Sequence, residues 1–147
     1  MAITAEKSVL ELEHSSGGIH AIQGLDSTQY FKGMMVYVDA NGKLAPVVGS
    51  AGATLVVCGV CQETVLTGAS NTRKIQFNTG TFGFINAAAG IAQNDVGKEV
   101  YAIDNETVGV TAGTNAIAGI VYEVASTTLV FVTIQWPRNS SQTVDAT

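Results

Sequence analysis

The sequence is poor in charged residues, and its few basic residues are scattered. Only 13% of the 147 residues are Asp, Glu, Lys or Arg, whereas soluble domains usually carry about 25%. Seven Lys and Arg residues stand against twelve acidic residues, which gives a formal net charge of −5. Because no basic stripe is present to neutralise phosphates, we expect neither nucleic acid nor an anionic membrane as a partner.

Long hydrophobic stretches are also missing. The longest apolar runs, "LVVCGV" and "LVFVTI", are far shorter than the roughly 18 residues that a membrane-spanning helix needs. The first residues, "MAITAEKSVLELEHSSGG", lack the basic end and the apolar stretch of a secretion signal, because three glutamates interrupt them. We therefore expect a chain that is made and kept in a cytoplasm until it joins a larger assembly.

Residues with a strong helix propensity are scarce, and residues that favour turns and strands are abundant. The chain has 16 Gly residues and is rich in Thr, Asn, Ser and Ala. Short apolar segments separated by Gly or Asn turns at intervals of about 8–12 residues are typical of small β-barrels and sandwiches. The sequence predicts an all-β fold, a small β-barrel or sandwich of short antiparallel hairpins. We expect an extended N-terminal arm and at most one short helical turn, in "AAAGIAQNDVG".

One short phrase occurs twice. "VYVDANGKLAP" at residues 36–46 returns as "VYAIDNETVGV" at residues 100–110. Acidic and Asn residues between apolar segments favour tight hairpin turns, and Gly adds the freedom that a positive φ requires. Pro46 cannot donate to a ladder, so the return strand of the first hairpin is predicted to lie at an edge or to end there. The predicted bends are Asn41 with Gly42 and Asp104 with Asn105.

The repeat extends beyond the hairpins. "GVCQET" at residues 59–64 and "GIVYEV" at residues 119–124 each follow a hairpin after a loop of small residues. The sequence therefore predicts a unit of hairpin, loop and strand, present at residues 33–64 and again at 97–124. The predicted organisation is an arm at residues 1–24, a β domain at residues 25–136 and a polar tail at residues 137–147.

Another pattern predicts a further hairpin. Ile75 and Phe77 alternate with polar residues before "NTG", and Phe82 and Phe84 alternate after it. Alternation on both sides of a turn sequence is typical of two paired strands.

Two cysteines form a C-x-x-C pattern, but their context does not favour chemistry. A redox pair needs a helix N-terminus to lower a thiol pKa, whereas "VVCGVCQE" indicates a strand. Cys58 and Cys61 are then expected to point to opposite faces. His14 and His20 lie far upstream without metal-ligand spacing. We expect buried structural thiols and no metal site.

A serine triad can be assembled on paper from Ser15 or Ser16, His20 and Asp26. No strand–turn–helix elbow surrounds these serines, and the Gly clusters lack the ending of a phosphate-binding loop. We expect no catalytic residues, no cofactor and no enzymatic activity.

The segment "KGMMVYVDANGKLAPVVGSAGATLVVCGVCQETVLTGASNTRKIQFNTGTFGFIN", residues 32–86, resembles the core of the phage lambda head decoration protein family. "NDVGKEVYAIDNETV" through "GIVYEVASTTLVFVTI" is similar to the broader group of phage capsid cement proteins. Together the two resemblances cover residues 32–134. They imply a small β fold that forms homotrimers at threefold and quasi-threefold points and clamps major capsid proteins from outside.

The resemblance also implies that the chain ahead of the first core strand orders on the capsid. This chain is longer than the family's lambda member, and its arm has no Pro-rich stretch. Apolar residues in "AITAEKSVLELEH" favour a partner, although a frayed terminus is the simpler interpretation. The candidate capsid-binding residues of the arm are Ile3, Thr4, Val9, Leu10 and Leu12. Trp136 is the candidate for a subunit interface, because interfaces favour Trp.

The sequence thus favours a virion protein on the outer surface of a phage capsid. A tail-tube or head-fibre subunit is the alternative within the virion. A small hydrolase, sugar-binding or other ligand-binding β module is the alternative from another class, and it needs a cleft with convergent polar groups.

Overall fold

The computed structural model describes residues 18–137, and over this range the protein is all-β, as predicted. It holds twelve strands and two single 3₁₀ turns, Ala87–Ala89 and Gln93–Asp95, where the sequence led us to expect at most one. The strands are β1 Ile19–Gln23, β2 Gln29–Tyr30, β3 Met35–Val38, β4 Leu44–Pro46, β5 Val57–Cys61, β6 Val65–Leu66, β7 Lys74–Asn78, β8 Gly80–Asn86, β9 Glu99–Ala102, β10 Thr107–Gly109, β11 Ala116–Val124 and β12 Leu129–Ile134.

The strands divide into two successive units. The first unit, residues 18–78, contains a five-stranded sheet in the order β1-β7-β5-β3-β4 and a two-stranded ribbon of β2 and β6. The second unit, residues 79–137, is a closed barrel in the order β10-β8-β12-β11-β9. A parallel bridge between Gly24 and Leu44 joins the two ends of the first sheet.

The two units share one topology and one register. Started from β8, the barrel order β8-β12-β11-β9-β10 matches the first sheet strand for strand. Val36 pairs with Gly59 as Val100 pairs with Gly119, and the register shifts beside each pair. The bridge at Gly24 corresponds to the parallel pair of Asn86 with Val108. The repeat in these described strands is therefore longer than a hairpin and one strand.

The predicted β3–β4 hairpin is present. One carboxylate oxygen of Asp39 accepts hydrogen bonds from the backbone N–H groups of Asn41 and Lys43, both at 2.9 Å. Gly42 has φ of 76°, which explains the need for glycine at this bend. Pro46 ends β4, which is the last strand of the sheet order. Its missing donor is tolerated there.

The predicted hairpin around "NTG" is wrong. β7 pairs with β1 and β5, whereas β8 pairs with β12 and β10. The chain crosses between units at Thr79, whose N–H donates to the carbonyl of Gly18 at 2.9 Å. Alternating aromatic residues predicted both strands correctly, but alternation does not determine which strands pair.

The body also begins earlier than residue 25. Residues 19–23, which the sequence assigned to the arm, form β1 and pair with β7 along its length. The pairing is antiparallel, with Ile22 opposite the buried Ile75. The polar His20 and Gln23 concealed this strand, because they interrupt its apolar pattern.

Two hydrophobic cores meet at β5, which is buried at all five positions. The buried residues of the first-unit core all come from the first unit. The shared core fills the barrel and also takes in Met35, Val47, Val57 and Val60 from the first unit. The first-unit core comprises Tyr30, Met34, Val36, Leu44, Cys58, Cys61, Ile75 and Phe77. Because the shared core draws residues from both units, the two units are packed as one body.

Candidate interaction surface

The cysteine pair is buried, as predicted, and both thiols are free. Burial raises the pKa of Cys58 to about 12 and that of Cys61 to about 11. Such thiols remain protonated at neutral pH and are poor nucleophiles. The two side chains do not point to opposite faces, because both belong to the first-unit core. The register shift beside Gly59 breaks the strand's alternation, so that positions three apart share a face.

His20 and Asp26, which the sequence could combine with a serine into a catalytic triad, make other contacts. The ring of His20 stacks on Phe77 at a centroid distance of 5.3 Å and meets the edge of Trp136 at 5.4 Å. A carboxylate oxygen of Asp26 accepts the backbone N–H of Asn71 at 2.8 Å. Ser15 and Ser16 lie outside the described residues. Within residues 18–137, no group of three His, Cys, Asp or Glu side chains is placed to hold a metal ion.

Trp136 packs against its own chain. Its ring meets Phe77 edge-on at 5.6 Å and is partly buried beside the first-unit core. These contacts tie the end of the second unit back onto the first. A contact of Trp136 with another subunit stays a prediction.

The five candidate arm residues, Ile3, Thr4, Val9, Leu10 and Leu12, lie outside the described residues. The described chain starts at Gly18, whose N–H donates to the hydroxyl oxygen of Thr79 at 2.9 Å. The first described residue therefore lies beside Thr79, where the chain passes from the first unit to the second.

The two predicted bends differ in their surroundings. Asn41 and Gly42 are exposed, whereas Asn105 is only 7% exposed. The carbonyl of Asn105 accepts the N–H of Met35 at 2.8 Å, so the second bend connects the two units. A carboxylate oxygen of Asp104 accepts the N–H of Glu106 at 2.9 Å, which repeats the local turn chemistry of the first bend.

A groove lies at the junction of the two units, and we call it the interunit groove. Its volume is about 320 Å³, and within residues 18–137 no charged side chain lines it. Val56 of the first unit bridges to Ile117 of the second, whose N–H donates to the carbonyl of Leu55 at 2.9 Å. The lining residues are Val56, Val57, Ala118, Gly119, Ile120, Thr133 and Gln135. This mainly apolar lining fits an apolar group, and its polar side chains are those of Thr133 and Gln135.

Several large apolar side chains are exposed on the described surface. Exposed apolar residues that occur singly are ordinary in soluble proteins. The informative ones are Ile120, which forms part of the groove wall, and Leu66, which is 66% exposed on the β2–β6 ribbon. The full set is Ile19, Val48, Leu66, Ile85, Val96, Val110, Ile120 and Tyr122.

Charge is divided unevenly between the units. The first unit carries four cations, Lys32, Lys43, Arg73 and Lys74, against three carboxylates, Asp26, Asp39 and Glu63. The second unit carries Lys98 alone against the carboxylates of Asp95, Glu99, Asp104, Glu106 and Glu123. The second unit is therefore the acidic end of the described body.

Sequence reasoning did not find the interunit groove. Its walls come from β5, β11 and β12, which are far apart along the chain. The available signal was Ile120, an apolar residue at a position whose neighbour Val121 faces the core.

Comparison with known proteins adds no assignment. No protein-family model, curated protein or solved structure matches this chain. Across the part of the chain that the structure describes, none of the helical segments has the length and apolar character to cross a bilayer.

Proposed function

We propose that this chain is a structural virion protein that binds the outer surface of a phage capsid and stabilises the expanded head. In this proposal it acts as a homotrimer at threefold and quasi-threefold sites and contacts the major capsid protein. The observation that carries the proposal is the body itself, two repeats of one β topology fixed to each other through a shared core. Such a body suits a rigid clamp, and the sequence resemblance to capsid decoration and cement proteins supports the same role.

The stabilising mechanism is thermodynamic linkage between binding of this protein and assembly of the shell. A protein that binds the assembled shell and not its separated subunits shifts the equilibrium toward the shell, by RT ln(1 + L/Kd) for each site, where L is the concentration of free protein. Three copies joined at one symmetry site act together, because binding of one copy raises the effective concentration of the others. Weak contacts from each copy are then sufficient.

The test is direct binding to heads. Purified protein is mixed with undecorated expanded heads, free protein is removed by sedimentation, and bound copies are counted by electron microscopy and gel densitometry. We expect saturation in threefold clusters and heads that resist heat to a higher temperature. Absence of bound protein at saturating concentration contradicts the proposal, and density on tails or in projecting fibres favours the alternative virion subunits.

The arm has its own test. Deleting residues 2–14 is expected to abolish head binding while the body remains folded, because the apolar residues of the arm are proposed to contact the shell. Circular dichroism checks the fold, and a variant with Leu10 and Leu12 both changed to Ser tests the apolar contact alone. Unchanged occupancy on heads would refute the role of the arm.

A further inference from the structure

Equivalent positions in the two units differ in solvent exposure. Val60 pairs with Asn78 in the first unit, and Ile120 pairs with Thr133 at the corresponding place in the second. Val60 is fully buried, because it belongs to the shared core that the barrel completes. Ile120 is 38% exposed. The outer face that the first unit uses as an interface is thus still accessible at Ile120 in the second.

The interunit groove continues the interface that already joins the units. Val57 lies in the shared core and also lines the groove, while Ala118 and Ile120 form the wall on the second unit. An engineered apolar cavity of about 150 Å³ accommodates benzene. The groove, at about 320 Å³, therefore has room for a branched aliphatic side chain.

The β2–β6 ribbon carries a side chain of that kind. Val65 packs against the first-unit core, and the next residue, Leu66, is exposed. The ribbon is held firmly: the hydroxyl of Thr67 donates to the carbonyl of Leu25 at 2.6 Å, and its N–H donates to the carbonyl of Thr28 at 2.9 Å. Because the ribbon backbone is already anchored, binding through Leu66 orders the side chain and little backbone, which lowers the entropic cost.

Charge favours a contact between unlike units. The first unit has more cations than carboxylates, whereas the second has one cation against five carboxylates. A contact between the first unit of one copy and the second unit of another is electrostatically favoured over contacts between like ends.

We propose that the interunit groove of one copy binds the Leu66 ribbon of a second copy of this chain in a head-to-tail contact. A head-to-tail contact closes into a ring when the rotation between copies divides a full turn. With three copies the ring is the homotrimer of the proposed function, and the inference rests on that part of it. The partner is the chain itself, so the contact is tested without capsid.

Sedimentation equilibrium of the full chain measures the association. Ile120→Glu places a charge in the groove wall, and Leu66→Glu places one on the ribbon, so each is expected to weaken association at least about tenfold. A one-to-one mixture of the two variants is expected to form a dimer, because one intact groove and one intact ribbon remain. Val110→Glu and Val48→Glu, at exposed positions outside the groove and ribbon, are the matched controls and should associate like the unchanged chain.

Circular dichroism and thermal melting establish that each variant is folded. The inference is overturned if the unchanged chain remains monomeric at about 100 µM, if either Glu variant associates normally, or if the mixture gives no dimer. Binding to heads is measured in parallel. If the unchanged chain is monomeric and Ile120→Glu abolishes head binding, the groove contacts the shell. That result contradicts the inferred self-association and supports the proposed binding to the capsid.

Discussion

Gly119 provides the sharpest test of the structure. A Cβ atom added there lies 2.4 Å from the carbonyl oxygen of Thr133 and 2.9 Å from a methyl group of Val132. Ordinary contact begins at 3.4 Å, so the added atom is about 1 Å too close to backbone of the neighbouring strand. Gly59, at the same position of the first repeat, places a Cβ 2.6 Å from the carbonyl oxygen of Asn78.

The expected cost of Gly119→Ala is about 3 kcal/mol, the upper end for overpacking, because a backbone ladder cannot move aside as a side chain can. For a body of this size the melting temperature should fall by about 10 °C. Urea unfolding, followed by circular dichroism and by the fluorescence of Trp136, measures the loss. Gly59→Ala should lose a similar amount, since the bulge and the obstructing carbonyl are repeated.

Gly68→Ala is the matched control. No heavy atom of the described residues lies within 4 Å of a Cβ placed there, and the backbone of Gly68 does not have a positive φ. The change should leave stability unaltered or raise it by up to about 1 kcal/mol, because alanine restricts the unfolded chain. Equal unfolding midpoints for Gly119→Ala and Gly68→Ala would show that the close strand contact is wrong.

Four further outcomes are expected. Tyr30→Phe should cost about 1–3 kcal/mol in urea unfolding, because the buried hydroxyl bonds one backbone carbonyl and one backbone N–H that then lose their partner. Met35→Ala should cost about 2–5 kcal/mol by the same assay, because it opens a cavity in the shared core. Asp39→Ala should cost about 1 kcal/mol through the loss of two turn hydrogen bonds, and Asp39→Asn, which keeps an acceptor, should cost less. Burial raises the pKa of Cys58 to about 12 and of Cys61 to about 11, above the unfolded value of 9.0, so stability should fall as pH rises from 9 toward 11–12.

Each of these outcomes has a result that contradicts it. Unchanged unfolding midpoints for Tyr30→Phe or Met35→Ala would place those side chains outside the buried environments described. Equal losses for Asp39→Ala and Asp39→Asn would show that the acceptor oxygen is unimportant. For the thiols, rapid reaction of the native protein with a disulfide reagent at pH 8 would contradict burial.

Sequence patterns within a few residues correctly predicted individual turns and strands. Asp39, Asn41 and Gly42 determine their bend through hydrogen bonds and a positive φ within five residues. Alternating apolar residues likewise revealed β7 and β8. Such features depend on neighbours in the chain, which a sequence displays directly.

The errors concern non-local pairing. Nothing near "NTG" indicates that β7 and β8 belong to different units, because the partners β1, β5 and β12 lie elsewhere in the chain. The shared face of Cys58 and Cys61 depends on a bulge opposite β3, and a bulge is defined by the strand it faces. The groove could not be predicted for the same reason, since it exists only after β5 has met β11.

The shared core also determines how cooperatively the protein unfolds. Two repeats of one topology suggest two independent folding units, yet Met35 and Val60 from the first pack in one buried cluster with barrel residues of the second. Separating the repeats exposes these side chains together with the barrel residues that they contact, so that unfolding one repeat alone is disfavoured. The protein should therefore unfold as one cooperative unit, with a single transition in calorimetry whose calorimetric and van't Hoff enthalpies agree.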